Sequence, residues 1–155
     1  MTSNLRSILR QFGPTRQFFL FDLDRTLWDY TVEFQQHIDP QEAVKYVPPE
    51  RVLILKAIQD AGHHIGICSR SKEEQKCKQL LDLAYPDIIF QSLQIYPTSE
   101  YKDTHVVRAL GPGRHRFHFF DDEKYIMDHL KTLHPLARFY HTPNGLSEET
   151  FGNGY

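Results

Sequence analysis

A chain of 155 residues with 40% hydrophobic and 25% charged side chains is long enough for one domain with its own core, and its make-up is that of a globular protein. A formal net charge of -2 and an isoelectric point near 6.5 give no general pull toward nucleic acid or an anionic membrane surface, and no apolar run approaches the ~18 residues of a membrane span. Two cysteines, Cys68 and Cys77, are too few for a disulfide framework and point to reduced thiols in a cytoplasmic, reducing compartment.

Residues 1–6 lack the apolar core of a signal peptide. Leu5, Ile8, Leu9 and Phe12 then recur at helical spacing, and Gly13-Pro14 closes that short helix. Phe18-Phe19-Leu20-Phe21 is a continuous apolar run, the pattern of a strand buried on both faces. It leads straight into Asp22 and Asp24, which project to one side if the strand geometry persists. Like charges so close need a cation between them or a shared proton. The aromatic-rich piece from Leu27 to Phe34, with Trp28 and Tyr30, partly alternates and predicts an extended arm, and residues 40–49 predict a polar connection. Pro48-Pro49-Glu50 opens a helix whose stripe includes Val52, Leu53, Leu55 and Ile58, and Ala61-Gly62 caps it.

A second buried strand, residues 64–68, runs into Ser69-Arg70-Ser71. Ser71 with Glu74 has the spacing of a capping box for the next helix. Ile88-Ile89-Phe90 predicts a third strand, and a helix follows from Lys102 to Leu110. Phe117-His118-Phe119-Phe120 predicts a fourth strand ending in Asp121-Asp122-Glu123. A helix with Ile126, Met127 and Leu130 facing inward comes next, and residues 136–140 predict a fifth strand. The tail predicts a helical turn near 147–151 and a flexible end at 152–154. The nine histidines show no recurring ligand spacing and predict surface and strand-edge positions. Strand and helix alternate five times, which predicts an α/β fold with a five-stranded, mostly parallel sheet between helices. The carboxyl ends of its strands would gather Asp22, Asp24, Ser69, Asp121 and Asp122 at one edge.

Asp22-Leu23-Asp24-Arg25-Thr26, a strand ending in Ser69, a lysine opening a helix at Lys102, and a strand ending in Asp121-Asp122 resemble, in order and spacing, the four motifs of the haloacid dehalogenase (HAD) superfamily. Thr26-Leu27-Trp28, Cys68-Ser69-Arg70, Ile95-Tyr96-Pro97 and Phe119-Phe120-Asp121-Asp122-Glu123 narrow the resemblance to the magnesium-dependent phosphatase type 1 group. It covers almost the whole chain. It implies a Rossmann-like HAD domain over residues 1–155 and Mg²⁺ held by Asp22, the backbone of Asp24, and Asp122, with Asp121 in a water-mediated or supporting place. Asp22 would form an aspartyl-phosphate, and Asp24 would serve as general acid and base. Ser69, with the N–H of Arg70, and Lys102 would bind the phosphate, and the Arg70 side chain would either reach the substrate's second group or lie exposed.

The resemblance departs at the cap. Neither the stretch between Trp28 and Pro48 nor that between Ser69 and Lys102 is long enough for a folded cap. The expectation is an open site with a short flap, residues 27–47, or a second copy of the chain in a homodimer, acting as the lid. The leading expectation is a phosphatase acting on phosphotyrosine-like or sugar phosphate groups of a protein or small molecule. Action on nucleotides or nucleic-acid ends is the alternative, weakened by the lack of a basic balance. A non-catalytic binding module is the third reading, opposed by the completeness of the motifs.

Overall fold

The apolar run ahead of Asp22 forms β1 (Phe18–Phe21), the middle strand of a five-stranded parallel sheet. The computed structural model describes residues 3–29, 31–32, 39–98 and 101–155. β2 (His64–Ser69) pairs with one side of β1 and carries β3 (Phe90–Ile95) on its outer edge. β4 (His118–Asp121) pairs with the other side and carries β5 (Arg138–His141). The order is β3-β2-β1-β4-β5, so the chain builds outward from β1 to one edge and then resumes on its other side. In open parallel sheets that reversal leaves a crevice at the carboxyl ends of the two strands that flank it, here β1 and β4.

Helices α1 (Ser3–Arg10), α2 (Pro40–Ala43), α3 (Pro49–Asp60) and α4 (Glu74–Ala84) lie over one face, and α5 (Asp103–Leu110) and α6 (Lys124–Leu133) cover the other. Side chains along a strand point to alternate faces. Phe19 and Phe21 accordingly enter one core with Leu5, Leu55 and Leu80, while Leu20 enters the other with Val106 and Ile126. Phe120 stacks between Phe21 and Tyr140, with ring centroids 4.5 and 4.3 Å away. Each such fully buried ring contributes roughly 1.5–3 kcal/mol, so the strands that carry the acids are held on a stiff platform. No helix among the described residues is long and apolar enough to cross a membrane.

Several local expectations are corrected. The Ser71/Glu74 capping box does not form: α4 starts at Glu74, and Ser71 Oγ instead accepts from the Glu73 N–H in a tight turn before the helix. The third strand is Phe90–Ile95, not residues 88–90. β3 is an edge strand, so its polar Gln91, Ser92 and Gln94 are tolerated, while Ile89 is exposed. The fifth strand likewise starts later, at Arg138, leaving Leu136 exposed. Residues 40–49 contain helix α2 and a 3₁₀ turn, Val44–Tyr46; Asp39 caps α2 by accepting from the Gln41 N–H, with Pro40 in the first turn. On α3, Leu53 is exposed and Arg51 is buried.

The tail forms a 3₁₀ helix, Glu148–Asn153, but its end is docked: Tyr155 and Phe139 exchange two backbone hydrogen bonds of 2.8 and 2.9 Å. Among the described residues, His63, His105, His118 and His134 are buried. His118 stacks on Phe19 and bonds Tyr140 Oη, which is how an imidazole can fill a core. Both cysteines are free and buried, and burial pushes the Cys68 thiol up to about 12. In the aromatic arm, Leu27 and Trp28 pack into the core, and Tyr30 and Phe34 lie outside the described residues.

Candidate active site

β1 ends one residue before Asp22, and β4 ends on Asp121. The Asp22 N–H donates to Phe120 O at 2.9 Å, so the sheet ladder itself sets the two carboxylates side by side. Lys102 opens α5 and reaches back between them. Its Nζ lies 2.8 Å from Asp22 Oδ1 and 2.7 Å from Asp121 Oδ2, and the lysine is 3% exposed. Asp122, half-buried, completes a group of three carboxylates whose oxygens lie within 4.8 Å of one another.

One ammonium against three carboxylates leaves two negative charges on the floor of an open cavity. Burial first, then the nearby acids, push Asp22 up to about 7 and Asp121 up to about 6, while Lys102 opposes both shifts. Lys102 itself is raised by Asp121 and Asp22 against its own burial. Hard oxygen donors with two uncompensated charges suit a divalent cation of the Mg²⁺ type. The three carboxylates differ in how they are held. Asp121 gives one oxygen to Lys102 and the other to the Glu123 N–H at 2.9 Å. Asp22 gives one to Lys102 and the other to the Thr26 hydroxyl at 3.2 Å. Asp122 is raised by burial; Asp22 opposes that shift, and the charges of Asp121 and Glu123 add to it.

Asp24 does not continue the strand geometry. The chain turns after Asp22: Thr26 and Leu27 N–H groups both return to Leu23 O, and Arg25 adopts φ 63. A non-glycine residue in that region costs about 1 kcal/mol. The turn buries Leu23 and Leu27 and swings the Asp24 carboxylate onto the Trp28 indole, 2.8 Å, and the Val32 N–H, 3.2 Å. Trp28, fully buried, therefore positions an acid instead of meeting a ligand. Asp24 still lines the same cavity as Asp22.

That cavity has a volume of about 520 Å³ and is floored by Asp22, Lys102, Ser69 and Asp122, with Arg70 and Glu123 at its sides. Ser69, at the end of β2, accepts the Ser71 N–H on its hydroxyl oxygen at 3.2 Å. Arg70 donates to the Tyr125 hydroxyl at 3.0 Å. The rim residues Arg25, Lys72 and Pro97 are exposed, and Thr31 stands at its edge. All of Asp22, Asp24, Ser69, Arg70, Lys102 and Asp122 are thus brought together around one space, with Asp121 directly behind.

Two supports were not legible as motifs. Thr142, just after β5, meets Thr26 Oγ1 at 3.0 Å and so steadies the hydroxyl that holds Asp22. Extending the strand-end rule to the fifth strand would have pointed to it. Arg51 pairs with Asp29 at 2.7 Å and donates to Leu146 O and Asn144 O, fastening the turn after Asp24 to the loop after β5. An arginine inside an apolar stripe was its only signal.

The acid phosphatase family model matches residues 14–155. Human magnesium-dependent phosphatase 1 is 31% identical over 153 residues, covering 87% of this chain and 82% of the relative. Two solved structures share the fold. One is the N-terminal part of a Bacteroides fragilis protein, containing a phosphatase domain complexed with Mg; it has TM-score 0.60 and 16% identity over 94% of this chain, which spans 40% of that structure. The other is the HAD domain of the Legionella pneumophila effector Lem4, with TM-score 0.59 and 15% identity, covering 88% of this chain and 92% of that domain. With the four motifs converged on one crevice and the match running from residue 14 to the last, the chain belongs to the acid phosphatase family and has the HAD fold.

Proposed function

We propose that this chain hydrolyses phosphomonoesters through an aspartyl-phosphate formed on Asp22. That it is a Mg²⁺-dependent phosphatase of HAD type follows from its family and from its relatives; the route and the residue roles are our reading. The observation that carries it is the buried Asp22–Lys102–Asp121 bridge with Asp122 beside it. It is a nucleophile-sized carboxylate whose charge is answered from one side only. Bound Mg²⁺ would supply the positive charge that lets one anion approach another. Asp22 and Asp122 would hold it through side chains and Asp24 through its carbonyl. Asp121 would act from behind, because it is 1% exposed and, unlike Asp22 and Asp122, does not line the cavity.

Lys102 holds Asp22 in one rotamer and stands where it can meet a phosphate oxygen. Ser69, oriented by the Ser71 N–H, offers its hydroxyl proton to a second oxygen. Asp24, fixed by Trp28 and Val32, gives a proton to the leaving oxygen and later takes one from the water that attacks the aspartyl-phosphate. Arg70 and the half-exposed Tyr125 ring stand at the side where the rest of the ester would lie. This favours a phosphotyrosine-like or sugar phosphate group of a protein or small molecule. Of the expected flap at 27–47, Leu27, Trp28 and Ala43 belong to the core and residues 30 and 33–38 lie outside the described residues.

The test is release of phosphate from p-nitrophenyl phosphate. Activity is expected with Mg²⁺ and lost with EDTA, and acid-quenched enzyme is expected to carry one phosphoryl group on the peptide containing Asp22. Full turnover by Asp22→Asn, or a phosphoryl group on another residue, would overturn the assignment.

A further inference from the structure

A second cavity, of about 660 Å³, opens at the opposite end of the sheet. Its walls carry Arg16 ahead of β1, Arg114 and Arg116 ahead of β4, and Arg138 at the start of β5. Among the described residues no carboxylate lines it. Phe12, Phe18, Phe117 and His118 give it an aromatic floor. All four arginines are exposed, and none makes an ion pair among the described residues. Two rest on rings: the Arg114 guanidinium lies 5.0 Å from the Phe18 centroid and that of Arg138 lies 5.9 Å from Tyr140. The charges of Arg16 and Arg114 add to burial in holding the neighbouring His64 below its ordinary pKa.

A chain with net charge -2 has no electrostatic reason to gather four cations against their own repulsion. Packing accounts for part of two of them, Arg114 on Phe18 and Arg138 on Tyr140, but not for their gathering with Arg16 and Arg116 around one cavity. Guanidinium groups match phosphate oxygens two at a time, and four of them from three separate segments exceed what a single phosphate can engage. The volume falls in the ~300–1,000 Å³ range of small-molecule sites. The cavity lies at the amino ends of β1, β4 and β5, whereas Asp22 and Asp121 lie at their carboxyl ends. We propose that this cavity is a binding site for a small anion carrying two or more phosphates, either an inorganic polyphosphate or a nucleotide. The arginines would clamp the phosphates, and the half-buried Phe12 and Phe18 rings would be what a base could meet.

The experiment is isothermal titration calorimetry of the full chain in low-salt buffer with EDTA, where the carboxylate site repels anions. Inorganic tripolyphosphate and ADP are the two probes. One-to-one binding is expected. It should weaken by ~10-fold or more in Arg114→Gln/Arg116→Gln, the weight of one or two charge-assisted contacts, and stay unchanged in Arg70→Gln, which removes a cation from the phosphatase cavity instead. Binding of tripolyphosphate alone identifies a polyphosphate, and tighter binding of ADP identifies a nucleotide; either upholds the proposal. No binding of either probe, or loss in Arg70→Gln with retention in the double variant, overturns it. Both replaced arginines are exposed, so circular dichroism of the double variant should match wild type. Its Mg²⁺-dependent turnover of p-nitrophenyl phosphate should also be unchanged, which separates failure here from failure of the phosphatase reading.

Discussion

At the carboxyl ends of β1 and β4, three carboxylates converge on a space where one lysine answers them. At the amino ends of the same strands, arginines collect and, among the described residues, no acid answers them. The two ends differ most in burial. Asp22, Asp121 and Lys102 are all under a tenth exposed, so their charges are settled inside the protein, by each other and by a cation. Arg16, Arg114, Arg116 and Arg138 are exposed, and water and counterions screen them until a ligand arrives. A buried cluster with a charge deficit is built to act on what enters it. An exposed cluster with a charge excess is suited to hold what it meets. The same parallel topology makes both, because it stacks every strand start at one edge and every strand end at the other.

The most severe way to break the acidic end is Asp22→Asn. Lys102 keeps Asp121 as its partner, so the fold should survive, yet the nucleophile is gone. Turnover of p-nitrophenyl phosphate is expected to fall by at least ~10⁴-fold, the scale on which an indispensable nucleophile acts. Retained turnover with wild-type Mg²⁺ dependence would move the chemistry to another residue.

Asp24→Asn should cost less, ~10²–10⁴-fold in kcat, the usual range for a general acid or base. The amide oxygen can still accept from the Trp28 indole and the Val32 N–H, so the turn keeps its shape. Because p-nitrophenolate leaves without much help, the deficit should be smaller on that ester than on an alkyl phosphate. Equal deficits on both would assign Asp24 a positioning role and not proton transfer.

Lys102→Met tests whether the acidic end is balanced from within. It leaves Asp22 and Asp121 facing each other without their shared cation, and breaking a buried pair in this way costs ~3–5 kcal/mol. Urea unfolding in EDTA should register that loss, and added Mg²⁺ should recover part of it by binding the folded state. A variant as stable as wild type in EDTA would mean the bridge contributes no net stability.

How far these features could be read from the chain depends on whether they are local. Phe18-Phe19-Leu20-Phe21 is apolar at every position, because the strand is buried on both faces, and the pairing of Asp22 with Asp121 follows from parallel topology across about 100 residues of sequence. β3 was misplaced because an edge strand carries Gln91, Ser92 and Gln94, and so lacks the apolar signature that marks β1. Strand geometry, in which i and i+2 share a face, predicts the Asp24 carboxylate beside that of Asp22; the chain turns from Leu23 onward, and Asp24 lines the same cavity while bonding the Trp28 indole and the Val32 N–H. Thr142 and Arg51 act through contacts with Thr26 and with the 144–146 loop that no spacing encodes. The basic end is illegible in the sequence for the same reason. Arg16, the Arg114/Arg116 pair and Arg138 are unremarkable one at a time and become a cluster only when three strand starts are set side by side.

The smallest expected effect concerns the floor of the basic end, and its sign is opposite to that of a salt-bridged acid. His118 is buried between Phe12 and Phe19, bonds Tyr140 Oη at 2.9 Å and also meets Gln17 Oε1. Burial first, then Arg138 and His63, push its pKa from 6.5 down to about 4. Between those two values the unfolded chain takes up a proton that the folded chain refuses. His118 therefore contributes its full stability above pH 6.5, and that contribution is lost as pH falls toward 4. At ~1.4 kcal/mol per pH unit the loss amounts to about 3 kcal/mol at most. His118→Gln keeps a group able to bond Tyr140 but cannot titrate. Urea unfolding of both proteins in EDTA at pH 7, 6, 5 and 4.5 should show the stability of wild type falling more steeply than that of the variant, with the gap opening below pH 6.5. Parallel curves would mean that His118 titrates alike in both states, and that the positive field of the amino end does not reach the sheet beneath it.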